Sequence, residues 1–226
     1  EYYIEDILLQ KSTGGGDPTN MAVQADYLKS VSKTGKIEFG LKGLSKYNNF
    51  DYKFYDLNTG TDEWILDPAF SNDLKYQEYI YSSYLMYSDK LSKKLEYKIG
   101  ARLEYNTSEL TQASSNERIY HEYWFPFPFA QLKYTLDDSQ NIALSINRRI
   151  TRPTYPQINP FISVVDQTTY ETGNKHLVPE IQDKVELNYS LIKNSFQLRT
   201  NLFASISKDY ITQVSMLSDA DKLMLT

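Results

Sequence analysis

Leu95–Tyr105 reads LEYKIGARLEY, and its side chains sort into two chemically distinct sets. The odd positions are Leu95, Tyr97, Ile99, Ala101, Leu103 and Tyr105; the even ones are Glu96, Lys98, Gly100, Arg102 and Glu104. Successive side chains of a β-strand point to opposite faces, so a strand here carries one apolar wall and one almost wholly charged wall. At a helical period the same residues would spread charge all round the cylinder. Soluble strands usually run about 5–6 residues. A tilted strand that crosses a bilayer needs about 9–11, with lipid on one side and a wet lumen on the other. A half-buried strand of a soluble sandwich alternates in the same way, so the neighbouring segments decide.

Outward from this stretch the same period of two recurs. It sets Met21, Val23, Ala25 and Tyr27 on one face, then Ile37, Phe39 and Leu41, then Ala130, Leu132 and Tyr134. Further on come Ile142, Leu144 and Ile146, then Val185, Leu187 and Tyr189, then Phe196, Leu198 and Leu202 in a strand extending toward Val214. Glu1–Gln10 reads as a weak strand, and Tyr76–Tyr87 as a Tyr-rich strand whose two faces do not separate. The total is about nine strands in antiparallel hairpin order. Connections near 32–35, 89–94, 137–140 and 193–194 are short, whereas those at 11–19, 56–75, 107–119 and 151–180 are longer and polar. Short and long alternate strictly, which puts every short turn at one end. Outer-membrane barrels have this asymmetry, and a Greek-key sandwich has no reason for it. The expected fold is all-β, an antiparallel up-and-down transmembrane β-barrel, with residues 1–226 forming part of one barrel domain.

Composition agrees and excludes much else. The chain has 226 residues, of which 20 are Tyr, 10 Phe and 2 Trp, too many aromatics for a solvated, disordered chain. A net charge of -5 argues against a nucleic-acid partner. There is no Cys, hence no disulfide frame and no thiolate chemistry. No run of about 18 apolar residues exists to form a membrane helix, a condition that barrel strands do not need to meet. His121 and His176 lack metal-ligand spacing, and no nucleophile motif or phosphate loop is present. The reading is therefore of a non-enzyme with no cofactor and no metal.

The candidate sites are accordingly walls and loops. Glu96, Lys98, Arg102 and Glu104 would face the lumen. Arg148, Arg149 and Arg152 cluster where a strand leaves for the longest loop, suited to interfacial anchoring or to pairing with loop acids. Tyrosines such as Tyr27, Tyr47, Tyr105 and Tyr134 suit an interfacial aromatic belt. The two prolines of Trp124–Phe129 (WFPFPF) mark a bulged, unpaired strand beginning near a rim. Asn106-Thr107-Ser108 is a glycosylation triplet by composition alone.

One stretch goes beyond pattern: SINRRITRPTYPQINPF (Ser145–Phe161), then ETGNKHLVPE (Glu171–Glu180), then VELNYS (Val185–Ser190). It resembles the barrel of TonB-dependent outer-membrane receptors, particularly the Bacteroidetes-type outer membrane protein β-barrel family. Arg148, Arg149, Arg152, Pro153, Tyr155, Asn159, Pro160, Phe161, Gly173, Asn174, Leu177, Pro179, Glu180, Glu186 and Leu187 match the family pattern, with Ile158 in place of its usual Leu. The motif reads as scaffold: prolines stiffen the loop, and Gly173-Asn174 supplies a sharp turn. The resemblance implies an internal segment of a larger barrel that carries an N-terminal plug and a segment contacting the TonB complex. It also implies residence in the outer membrane of a Gram-negative bacterium, with outer-membrane lipid and a small solute as partners. The 151–180 loop is then the best candidate for solute contact. Two other readings stand beside it: a non-transporting barrel (adhesin or assembly subunit) and a soluble β-sandwich that binds carbohydrate.

Overall fold

A computed structural model describes residues 9–166, 168–217 and 223–225. The wall is a single nine-stranded antiparallel sheet. Its strands are β1 (Gln10–Gly16), β2 (Thr19–Ser30), β3 (Lys36–Asn58), β4 (Glu63–Lys90), β5 (Leu95–Gln112), β6 (Arg118–Asp137) and β7 (Gln140–Thr151). After a long connection follow β10 (Glu180–Lys193) and β11 (Phe196–Lys208). Within that connection lie the helical turn α1 (Tyr155–Ile158) and two short strands, β8 (Ser163–Val164) and β9 (Thr169–Glu171). The tail supplies β12 (Ser215–Leu217) and β13 (Leu223–Leu225), which join β9 and β8 in a small four-stranded sheet. A nine-stranded wall with a small sheet of two- and three-residue strands is not a sandwich of two matched sheets, and the sandwich reading falls.

Several connections that read as loops are strand. Gln10–Gly16 pairs with β3 from Asp56 to Phe50. Thr19–Ser30 continues along the same strand from Tyr47 to Lys36, so β1 and β2 form one stave interrupted at Asp17-Pro18. The glycines at 14–16 take no positive φ; their missing side chains instead allow close approach, since a Cβ on Gly16 would lie 2.6 Å from the Phe50 ring. The stretch 56–75 is likewise mostly ladder, with β3 and β4 paired up to Asn58↔Glu63. The stretch 107–119 narrows to a turn, because β5 and β6 pair up to Thr111↔Arg118. The short-turn end stands, and the end asymmetry becomes one of strand length. At the other terminus β11 stops at Lys208, where Asp209 takes φ 56°, a left-handed conformation that Asp tolerates; the expected extension to Val214 is not strand. The weak strand at residues 1–10 falls largely outside the described residues.

WFPFPF also differs from its reading. Trp124–Phe129 pairs continuously with Tyr105–Gly100 of β5. On the other edge, pairing of β6 with β7 reaches only Phe129↔Asn147. Pro126 and Pro128 share one parity, so both missing N–H groups lie on the β7 edge, which has no ladder there to lose.

The two faces of the wall differ in kind. Ile99 (49% exposed) and Leu103 (45%) stand on the outer face with Phe39, Leu41, Leu85, Leu132, Leu144, Ile146, Val185 and Leu187, all exposed. Above Tyr105 the outer face turns polar with Thr107, Glu109 and Thr111, while the inner face gains the core: Leu74, Tyr76, Leu110, Ile119 and Ile158. Apolar side chains thus point outward at one height and inward at another, on the same strands.

Candidate functional site

The inner face and the 152–179 connection form one unit. β7 ends at Thr151, and the chain then turns over the inner wall of β3–β6 instead of forming a further hairpin. Thr154 starts α1, with the Gln157 side chain accepting from the Thr154 backbone N–H at 2.8 Å. Ile158 is buried in the core, and Phe50, Tyr155 and Leu177 pack against that cluster. Tyr155 stacks on Phe50 with centroids 4.3 Å apart, and Phe161 meets Tyr52 edge-on at 6.3 Å. The other half of the family motif closes the turn. The Gly173 N–H donates to the Asn159 carbonyl and the Asn174 N–H to the Gln157 carbonyl, each at 2.7 Å. A Cβ at Gly173 would lie 2.4 Å from the Pro156 oxygen and 2.5 Å from that of Gln157, so this position excludes any side chain. Asn159 Oδ1 accepts from Gln112 Nε2 at 2.5 Å, the Pro160 carbonyl accepts from Thr172, and Pro179 lies with Leu177 beside Tyr123. Glu180 opens β10 opposite Thr151.

Charge converges beneath this segment. Glu78 (4% exposed) and Glu104 (6%) are buried carboxylates on β4 and β5. The Arg152 guanidinium contacts Glu104 and lies 3.9 Å from Glu78. Glu78 also accepts from Lys46 at 2.8 Å and from Asn106 at 3.1 Å. Arg102 approaches Glu104 at 3.6 Å and lies over the Phe127 ring at 4.3 Å. Burial draws the Arg152 guanidinium below its usual value, the Glu78 carboxylate opposing that effect; burial likewise raises the Tyr155 hydroxyl. Two buried acids facing three cations are compensated rather than reactive.

The three arginines do not share a place. Arg148 makes a two-pronged pair with Asp183 of β10 at 2.7 and 2.8 Å. Arg149 points to the opposite face, across from Gln182. Arg152 alone reaches the buried acids, and the partners of Arg148 and Arg152 are strand acids rather than loop acids. Lower on the inner face Lys98 bonds Glu38 at 3.0 Å, spanning β4 to do so, and Glu96 pairs with Lys90 at 2.5 Å. Asn106 is 2% exposed and occupied by Glu78, so the glycosylation triplet presents no accessible acceptor. Among the described residues no group of His, Asp or Glu could hold a metal ion, and no helix is long and apolar enough to cross a membrane.

The sequence reading missed Glu78, Lys46, Gln112 and Tyr76. Tyr76, Glu78, Ile80 and Ser82 share a face of β4, and a face mixing aromatic, acid, aliphatic and hydroxyl groups carries no periodic signal. Burial of Glu78 depends on Arg152 and Lys46, distant in sequence.

The model of the outer membrane protein beta-barrel family matches residues 3–226. Among solved structures, the chain superposes on the copper transporter OprC with a TM-score of 0.68 at 13% identity, covering 95% of this chain and 34% of that one. It superposes on the ferric citrate transporter FecA, unliganded, with a TM-score of 0.60 at 14% identity over 89% of this chain and 29% of that one. For the ferric yersiniabactin uptake receptor FyuA from Yersinia pestis the values are 0.60, 13%, 97% and 32%. At such identities the likeness is one of fold, and the chain spans well under half the length of these structures. A comparison with curated protein sequences finds no match.

Proposed function

The chain belongs to the outer membrane protein beta-barrel family, and from that premise we propose that residues 1–226 are part of the barrel domain of a TonB-dependent receptor that imports a small solute. The observation that carries the reading is the division of the wall. Its outer face holds Ile99, Leu103, Leu132 and Leu144 exposed, a surface suited to outer-membrane lipid. Its inner face holds Glu96, Lys98, Arg102 and Glu104, each in an ion pair, a surface suited to a hydrated lumen. The connection at 152–179, held against that lumen, meets the solute at the cell surface. The motif residues Arg152, Tyr155, Asn159, Phe161, Gly173 and Asn174 fix its shape and contribute no chemistry, while Arg148 ties β7 to β10. Energy reaches the barrel through TonB contacts made by another part of the protein, and no nucleic acid, cofactor or catalytic step is involved.

Growth on panels of sole carbon and iron sources tests this. Deleting the gene removes growth on at least one source, the intact gene restores it, and blocking energy transfer from the inner membrane removes it again. Growth that ignores both the deletion and the block overturns the reading.

A further inference from the structure

β3 and β4 run on past the rest of the wall as a projecting hairpin. Their ladder continues from Tyr55↔Leu66 to Asn58↔Glu63, whereas β5 stops opposite Leu74. On the side of β1 the hairpin is covered, and the Leu57 N–H donates to the Leu9 carbonyl at 2.9 Å. Peptide groups of successive residues leave a strand by opposite edges, so Asp56 and Asn58 turn theirs toward β4 and meet Ile65 and Glu63. Trp64 and Leu66 then send their N–H and C=O groups to the far edge, which has no ladder partner among the described residues.

This edge is apolar and bracketed by acids. Trp64, Ile65 and Leu66 are 44, 52 and 43% exposed, and an edge strand is normally blunted by charge, proline or a cover. The run ends at the turn of Asp62 (φ 57°) on one side. On the other it ends at a bulge, where the Ser71 hydroxyl donates to the Asp67 carbonyl at 2.6 Å. Asp62, Glu63 and Asp67 have no cationic partner among the described residues, and the one nearby cation, Lys11, lies over the Trp64 ring at 5.9 Å.

We propose that the Trp64–Leu66 edge docks an extended strand of a partner protein, apolar at its centre and basic at its flanks. A row of outward N–H and C=O groups at strand spacing is matched by another main chain, with side-chain contacts on both faces adding selectivity. Cations opposite Glu63 and Asp67 fix the register. Lipid does not fit, because Asp51, Lys53, Asp73 and Lys75 separate the hairpin tip from the apolar band of the outer face. A second copy does not fit either: antiparallel pairing centred on Ile65 would set Glu63 of each copy against Asp67 of the other, and like charges directly opposite repel. The proposal needs the fold alone and is independent of solute import.

The full-length protein, purified in detergent micelles, is to be titrated with fluorescein-labelled peptides and followed by anisotropy. The probes are Lys-Val-Thr-Val-Lys with glycine spacers at both ends, its Glu-flanked counterpart, and the lysine peptide N-methylated at both valines. We expect the lysine peptide to bind, and either change to weaken Kd about tenfold or more. Leu66→Pro removes an outward N–H that the β3 ladder does not use. The Ile65 amide should therefore stay protected from hydrogen exchange while the lysine peptide loses about tenfold or more in affinity. Absence of binding by the lysine peptide overturns the proposal, as does equal affinity for the N-methylated peptide or an unchanged Kd in folded Leu66→Pro. A dimer of the protein that Leu66→Pro dissociates would give the edge to a second copy and overturn it as well.

Discussion

Arg152, the first residue beyond β7, lays its guanidinium against Glu104, a carboxylate of β5 with only 6% of its surface exposed. This contact ties the 152–179 connection to the inner wall at the point where the connection begins. Arg152→Met leaves the buried carboxylates of Glu104 and Glu78 with fewer cations. Breaking a buried pair from one side costs about 3–5 kcal/mol; with Arg152 itself partly exposed and Arg102 and Lys46 still present, about 2 kcal/mol is expected. Urea unfolding of the full-length barrel measures it. Adding Glu104→Gln should return a large part of the loss, and a double variant as unstable as the sum of the singles would refute the coupling.

Facing is tested by a charge swap on β5. Ile99→Arg puts a cation among exposed outer residues and should cost about 2–4 kcal/mol if that face meets the bilayer midplane. Arg102→Ile gives up the Phe127 ring contact and a 3.6 Å ion pair, for about 1 kcal/mol. Folding titrations into lipid vesicles that return equal penalties would reverse the assignment of faces.

The bare α-carbon at Gly173 carries a third expectation. An added methyl would meet three backbone oxygens, those of Pro156, Gln157 and Asn159, all within 2.7 Å, and backbone cannot step aside as a side-chain tip can. Gly173→Ala should cost about 1–3 kcal/mol, and the loss should be local. The Gly173 and Asn174 amides, which bond Asn159 and Gln157, should exchange hydrogen faster while the β4–β5 ladder keeps its protection. Uniform loss of protection across the wall would mean that the turn is integral to barrel stability.

What could be read from the sequence depends on height along the strands. LEYKIGARLEY declares itself because its outer residues are apolar and its inner residues charged. Beyond Tyr105 the same strand continues as Asn106–Gln112, yet there Leu110 faces in and Thr107, Glu109 and Thr111 face out. The outer face at that height is polar and the inner face packs on Ile158, so the alternation persists with its phase inverted. A reading that looks for one consistent apolar face ends the β5 strand where the phase turns over, and the polar, turn-rich composition of 56–75 and 107–119 then reads as loop. The glycines at 14–16 mislead differently: glycine usually weakens a strand, and here the Phe50 ring occupies the space a side chain would need. The pairing of Arg152 with Glu78 and Glu104 is a tertiary fact with no local sign. The motif around Arg152 marks the segment without naming the partners of its arginine.

The prolines of β6 give the last test. Pro126 and Pro128 face Leu103 and Ala101 across the β5 ladder, and pairing there continues without a register shift. Residues of one parity send their N–H groups to one edge, so Phe125 and Phe127 serve β5 while Pro126 and Pro128 would have served β7. Pairing with β7 stops at Phe129, because beyond Asn147 that strand leaves β6, stays with β10 to Thr151 and turns inward. Replacing both prolines by Val should therefore leave the β5–β6 ladder intact and change stability by no more than about 1 kcal/mol. Phe127→Pro removes a donor that the ladder uses and should cost about 3 kcal/mol or more, including loss of the buried Phe127 ring under Arg102. Hydrogen exchange at the β5 and β6 amides separates the two cases. Deprotection of β5 by the double Val variant, or its persistence in Phe127→Pro, would show that the ladder runs with the opposite parity.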